Sequence, residues 1–160
     1  MNEPVKLPNG LPADFDLDAV SWMKLVGGPE FDYPIDYAYA VASADVARGK
    51  VGLIVKWEPD AYCHYHRHLG ETTVTILRGE QHLYEERPFE TVHKVRQAGF
   101  TGRVPDGEQH MEYGGPEGLV ILFDIDAPDG RLFELLDRNG STLLTVTIAD
   151  VVEKRLGVAA

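Results

Sequence analysis

The sequence predicts an all-β domain, either a sandwich, a jelly roll or a small barrel, on three observations. Sixteen glycines and ten prolines punctuate its 160 residues at close intervals. The stretches between them are short and rich in valine, isoleucine, threonine and aromatic side chains, the mark of many strands joined by turns. Hardly any segment repeats its apolar residues at a helical period.

Taken in order, the amino terminus "MNEPVKLPNG" lacks the apolar centre of a signal peptide. Residues 1–35 are expected to form an extension packed on the barrel or on a partner, with a turn or two of helix in "ADFDLDAV" and with Trp22, Phe31 and Tyr33 available to cover a second copy. Strands are expected in "DYAYAVA" (36–42), "VGLIVKW" (51–57), "TTVTIL" (72–77), "QHLYEE" (81–86), "TVHKV" (91–95), "MEYG" (111–114), "LVILFDI" (119–125) and "TLLTVTI" (142–148). In the second of these, Val51, Leu53, Val55 and Trp57 alternate toward one face, so that face is buried. "LVILFDI" is apolar on both faces and reads as a central strand. Turns are expected at "ARGK", "EPD", "LRGE", "PDGEQ", "GGPEG", "APDG" and "DRNG", and a short helix in "ADVVEKRLG". The barrel itself is expected to span 36–148, followed by a tail over 149–160.

Composition narrows the function. Twenty-six acidic against fifteen basic residues give a net charge of -11, which repels nucleic acid and anionic lipid. No run of about 20 apolar residues could cross a bilayer, and a cytoplasmic protein is expected. A single cysteine, Cys63, excludes an internal disulfide and any paired-cysteine zinc site. A metal would have to be held by nitrogen and oxygen.

Such donors are concentrated in "CHYHRHLGE" (63–71). Along an extended strand His66 and His68 point the same way and can chelate one ion, with a further ligand arriving from another strand. His64 shares their direction only if the strand is regular that far back. The further ligand is His110 in "GFTGRVPDGEQHMEYGG", where Pro105, Asp106 and Gly107 make a tight turn before a new strand. Glu112 follows by two and shares the face of His110, where it could orient an imidazole or act as a base; otherwise it is an edge residue in water. Cys63 reads as a small apolar filler. His82 and His93 read as structural or solvent-facing, Tyr37 and Tyr39 as core, and Arg78 and Arg103 as solvated.

The spacing Gly99, Pro105, Gly107, His110 resembles the second motif of the cupins, a glycine, five residues, Pro-x-Gly, two residues and a metal-binding histidine. The asparagine that normally closes it is Gly114 here. The first motif is matched from Asp60, in place of its glycine, through His66 and His68 to Gly79. Its glutamate falls at Thr72 or Thr73, with Glu71 one or two places early. Within that superfamily, "HRHLGETTVTILRGE" and "FELLDRNG" look like the small three-histidine dioxygenases of the acetylacetone-cleaving and dihydroxyacetophenone-cleaving types. The resemblance covers about residues 50–148. It implies a double-stranded β-helix (jelly-roll) barrel, a divalent ion on His66, His68 and His110, most readily Fe(II) with zinc, nickel or manganese as alternatives, and a catalytic carboxylate in Glu112 or Glu71. It also implies dioxygen and a small carbonyl compound as partners, and a homodimer. Two other readings stand beside it: a zinc-binding sensor or regulatory cupin, and a cupin that binds a small molecule without turning it over.

Overall fold

The computed structural model describes residues 16–160. Eleven strands are described: β1 (Met23–Val26), β2 (Asp36–Asp45), β3 (Lys50–Trp57), β4 (His66–His68), β5 (Glu71–Glu86), β6 (Thr91–Gln97), β7 (Thr101–Val104), β8 (Gln109–Asp126), β9 (Arg131–Leu136), β10 (Thr142–Thr147) and β11 (Val158–Ala159). The helical residues are two 3-10 turns, at Leu17–Ala19 and Val46–Arg48, and one short helix, α1 (Ile148–Val152). The all-β expectation holds. Within "ADFDLDAV" only the 3-10 turn is described; its first three residues, and the whole of "MNEPVKLPNG", lie outside the described residues.

The sheet runs β10-β9-β4-β8-β3-β2-β1-β11, and β5 joins it along β8 while carrying β6 and β7. It curls because β8 pairs with β3 on one side and with β5 on the other along Leu119–Asp126, whereas its first residues pair with β4 and with the far half of β5. Two expected turns prove to be bends inside long strands. "LRGE" lies within β5 and "GGPEG" within β8, so 72–77 and 81–86 are one strand, as are 111–114 and 119–125. Both chains kink together: Gly79 (φ 80°) and Gly118 (φ 79°) sit in the left-handed region, and a Cβ on Gly79 would fall 2.1 Å from Gly118 O. Only glycine allows that approach, and the bulged ladder resumes beyond it.

Period-2 alternation fills the interior. Val51, Leu53, Val55 and Trp57 of β3 meet Leu119, Ile121, Phe123 and Ile125 of β8 and Val74 and Ile76 of β5 in one buried core. Leu122, on the opposite face of β8, is also buried, as a central strand requires.

The ends close over this barrel. A capping box, with Asp150 N–H donating to Thr147 Oγ1 and Thr147 N–H to Asp150 Oδ2, starts α1. The helix lasts five residues, the short helix expected in "ADVVEKRLG", and starts one residue before it at Ile148. The tail then returns as β11 to pair with β1, and Tyr39 Oη donates to Leu156 O. Trp22 donates to Leu17 O, Phe31 packs edge-on to His64 and Tyr33 lies against Tyr62, so these aromatics contact their own chain. Among the described residues no helix is long and apolar enough to cross a membrane.

Ile121 is fully buried, between β3 and β5. Ile121→Ala is expected to lower unfolding free energy by about 2–5 kcal/mol, read from the urea midpoint at unchanged slope. Val158→Ala, at a side chain 67% exposed, should change it by less than about 0.5 kcal/mol.

Candidate metal centre

β4 is only three residues long, yet it lies between β8 and β9 and aligns His66 directly with His110. Arg67 points outward, its guanidinium donating to Glu134 Oε2 at 2.7 Å and to Gln109 Oε1 at 3.0 Å, which pins the strand to both neighbours. Alternation then sends His66 and His68 inward, where they are 7% and 0% exposed. On β8 the same alternation buries His110 and Glu112. One donor atom from each of His66, His68, His110 and Glu112 falls within 4.8 Å of all the others.

The rings are oriented by what holds their far nitrogens. His66 Nδ1–H donates to His64 O at 2.8 Å, and His110 Nδ1–H to Glu108 Oε2 at 2.7 Å. His68 Nδ1 meets Thr72 Oγ1 at 3.2 Å, and that hydroxyl donates to Gly70 O, so it accepts from the ring. A carbonyl or carboxylate can only accept, which places the proton on Nδ1 and turns Nε2 toward the cluster in each case. There His68 Nε2 lies 3.0 Å from His110 Nε2, and Glu112 Oε1 and Oε2 lie 3.1 Å and 3.6 Å from His110 Nε2 and His66 Nε2. Two nitrogen lone pairs that close require a proton or a cation between them. This donor set fits a divalent ion, and ligand nitrogens held from behind in this way are how proteins present imidazole to a metal.

Electrostatics agree. Burial pushes His66 down to about 4, against the pull of Glu112. Burial and the neighbouring rings hold His68 well below the usual imidazole range. Burial opposes charge on His110 as well, but Glu112 and Glu108 outweigh it and raise that ring to about 9. Burial disfavours ionised Glu112, yet His110 above all, with His66, keeps its carboxyl well below the carboxylate range. In the metal-free protein His110 therefore supplies the cation, and a bound ion takes the place of its proton.

Several expectations meet their outcome here. Glu71 opens β5 on the outer face, mostly exposed, and its Oε2 accepts from Arg103 at 2.9 Å, so it stands outside the cluster. Adjacent residues on a strand face opposite ways, and the inward place belongs to Thr72. His64 also stays outside, its Nδ1 2.8 Å from Tyr37 Oη. Asp60 adopts the left-handed conformation (φ 59°) that the usual glycine would supply. Gly114 fills the asparagine slot because a Cβ there already lies 3.1 Å from Trp57 Cβ and 3.3 Å from Glu58 O. Cys63 is more than filler: burial and Glu112 push its thiol well above the ordinary range, and Sγ donates to Glu112 Oε2 at 3.1 Å. The orienting roles of Thr72 and Glu108 were not anticipated, although Thr72 is one of the two places at which the motif's glutamate falls and Glu108 lies two before His110.

Beside the cluster lies a narrow cavity that is partly open to solvent. Tyr37, Tyr39, Trp57, Phe123 and Phe133 form apolar walls, and Cys63, His66 and Glu112 bring the cluster to its surface.

This curled double-stranded β-helix has counterparts among solved structures. A cupin 2 conserved barrel domain protein from Rhodopseudomonas palustris superposes with a TM-score of 0.61 at 15% identity, over 87% of this chain and 89% of that one. The fold is a cupin barrel. An acetylacetone dioxygenase from Acinetobacter johnsonii matches at 0.62 and 13% identity, over 96% and 90% of the two chains. A candidate acetylacetone dioxygenase from Methylibium petroleiphilum matches at 0.66 and 12%, over 98% and 99%. No family model matches the sequence, and neither does any curated protein.

His110→Ala should abolish stoichiometric binding of zinc or iron, Thr72→Val should weaken it about 10–100-fold, and Glu71→Ala should leave it unchanged, all measured by metal content after dialysis. Because His110 must shed a proton held up to about 9, raising the pH removes the competitor. Apparent zinc affinity should climb about tenfold per pH unit from neutrality to that value and then level off, with about one proton released per ion at pH 7. Calorimetry in buffers of different ionisation enthalpy reads both.

Proposed function

We propose that this cupin is an iron(II)-dependent dioxygenase that cleaves a carbon-carbon bond in a small β-diketone or hydroxyketone. The observation that carries the reading is the buried cluster of His66, His68, His110 and Glu112 at the wall of an otherwise apolar cavity. The names of the Acinetobacter and Methylibium structural neighbours support it.

His66, His68 and His110 would hold the ion through their Nε2 atoms, since their far sides are already bonded, with His110 giving up its extra proton on binding. When bound, the ion polarises paired substrate oxygens and, as iron(II), supplies the one-electron chemistry that dioxygen requires. Three neutral imidazoles leave the charge of a divalent ion uncompensated once Glu112 has taken up a proton, which suits a substrate that becomes an anion.

The protein's own contribution is a proton acceptor and a dry, fixed geometry. Glu112 is the proton acceptor: it is ionised, it borders the cavity, and the Cys63 thiol bonds Oε2 and so fixes the carboxylate plane. The proton of the substrate's acidic carbon moves to a Glu112 oxygen, leaving an electron-rich carbon in the apolar chamber. Tyr37, Phe123 and Phe133 exclude water there. Glu71, exposed and paired with Arg103, takes no part.

The presence of Glu112 among the donors favours one second reading. A carboxylate that occupies a coordination position leaves less room for dioxygen and suits a redox-inert ion such as zinc, in a cupin that binds or deprotonates a carbonyl compound without oxidising it.

Oxygen uptake decides between them. Iron(II)-loaded protein given pentane-2,4-dione should consume about one dioxygen per substrate cleaved, zinc-loaded protein none, and Glu112→Gln should lower kcat about 10²–10⁴-fold. Deprotonation or tight binding of the dione without oxygen uptake in either form would select the zinc reading.

A further inference from the structure

The cavity has two ends that are built differently. In the order of the curled sheet, β4 and β8, which carry the metal cluster, lie in the middle, while β10 stands at one margin and β1 with β11 at the other. Val146 of β10 and Leu25 of β1 nevertheless line the same cavity, so the two margins face each other across it, away from the cluster. Among the described residues no strand pairing joins them. The seam is covered instead by the chain that runs from β10 to β11 through α1 and residues 153–157, and that chain contributes Val151 and Leu156 to the cavity wall.

Up to Arg155 this cover is fixed. α1 ends in a Schellman turn, with Lys154 left-handed (φ 56°), its N–H donating to Val151 O and Arg155 N–H to Asp150 O. The Arg155 guanidinium stays on that turn, paired with Asp150 and Glu153. Beyond it the attachments are few. Leu156 is the only residue of 153–160 that is not exposed. Its carbonyl accepts from Tyr39 Oη at 2.7 Å, β11 pairs with β1 over two residues, and Ala160 N–H donates to Trp22 O at 3.1 Å. A segment with one half-buried apolar side chain and so short a ladder opens locally well below the cost of unfolding the core. The cavity is narrow and only partly open to solvent, so a ligand of several atoms needs part of its wall to yield, and this is the part built to do so.

We infer that Leu156 is a door in the seam of the barrel: the organic ligand enters between β10 and β1 as the tail lifts, and Leu156, seated again behind it, sets the length of the apolar substituent that the cavity accepts. Away from Cys63, His66 and Glu112 the lining is aliphatic or aromatic, and its tyrosine hydroxyls are engaged, Tyr37 with His64 and Tyr39 with the tail itself. A ligand whose paired oxygens face the cluster therefore directs a hydrocarbon remainder at Leu156. The Tyr39 hydroxyl acts as the latch, because lifting the tail breaks its bond to Leu156 O and leaves both groups unpaired until the door closes. The inference rests on the dicarbonyl reading above and adds the entrance and the residue that limits substrate length. Leu156 is then a specificity-determining residue, remote from the reacting carbon.

The test uses zinc-loaded protein, in which no oxidation occurs, and two ligands that differ only in the length of one alkyl arm, pentane-2,4-dione and nonane-2,4-dione. Each methylene admitted to the cavity should tighten binding about fourfold, so Leu156→Ala should shift the preference toward the longer dione by about tenfold, and Leu156→Phe should shift it the other way. Tyr39→Phe, which removes the latch, should speed association of pentane-2,4-dione about twofold to tenfold in stopped flow. In the same variant the Ala160 amide should exchange its hydrogen faster while the Ile121 amide keeps its protection, which separates an opened door from a loosened barrel. A chain-length preference unmoved by both Leu156 variants overturns the inference, and so does an association rate unmoved in Tyr39→Phe; zinc-dependent binding of pentane-2,4-dione leaves the dicarbonyl reading standing in either case. If neither dione binds in a zinc-dependent way, the dicarbonyl reading falls and the inference with it.

Discussion

The cross-strand alignment of His66 with His110 is the constraint on which the site depends. A three-residue strand has few hydrogen bonds of its own, and β4 keeps its register because Arg67 is fastened on the outer face to Gln109 and Glu134 while both backbone edges are paired. A shift of one residue would turn Arg67 inward and both histidines outward. The charged outer face thus specifies the inner one, and the metal cluster follows from strand register rather than from a loop.

Three imidazoles and a carboxylate in a dry interior form a costly arrangement unless something reconciles their charges. In the metal-free chain His110 does this by keeping a proton between Glu112, Glu108 and the other rings. A divalent ion performs the same office with more charge and at the same convergence of Nε2 atoms. Glu108, Thr72 and the His64 carbonyl hold the rings from behind in either state, so little must rearrange when an ion arrives.

Much of this was legible in the sequence because strands write their faces in every second residue. The inward set of β3, the direction of His66 and His68, and the companionship of His110 and Glu112 all follow from that period. What was not legible depended on partners distant in sequence. "LRGE" and "GGPEG" carry the glycines of turns, but Gly79 and Gly118 lie against each other, so two chains bend together and each strand continues. β9 was missed because "RLFELL" mixes charged and apolar residues without clean alternation; its pairing with β4 supplies the order that its composition lacks. Glu71 was weighed as a site residue from its nearness in sequence to the motif's slot, where one step along a strand separates the interior from solvent. Cys63 was read as filler because burial and hydrogen bonding of a thiol look alike until its neighbour, Glu112, is known.

X-ray absorption at the metal edge of iron- or zinc-loaded protein tests the central claim most directly, since imidazole rings leave a multiple-scattering signature that counts them. The account predicts three imidazoles at about 2.0–2.1 Å with oxygen donors completing the shell, and two imidazoles in the His110→Ala protein if any metal is retained. A spectrum with one imidazole or none, or dominated by sulfur from Cys63, would contradict it.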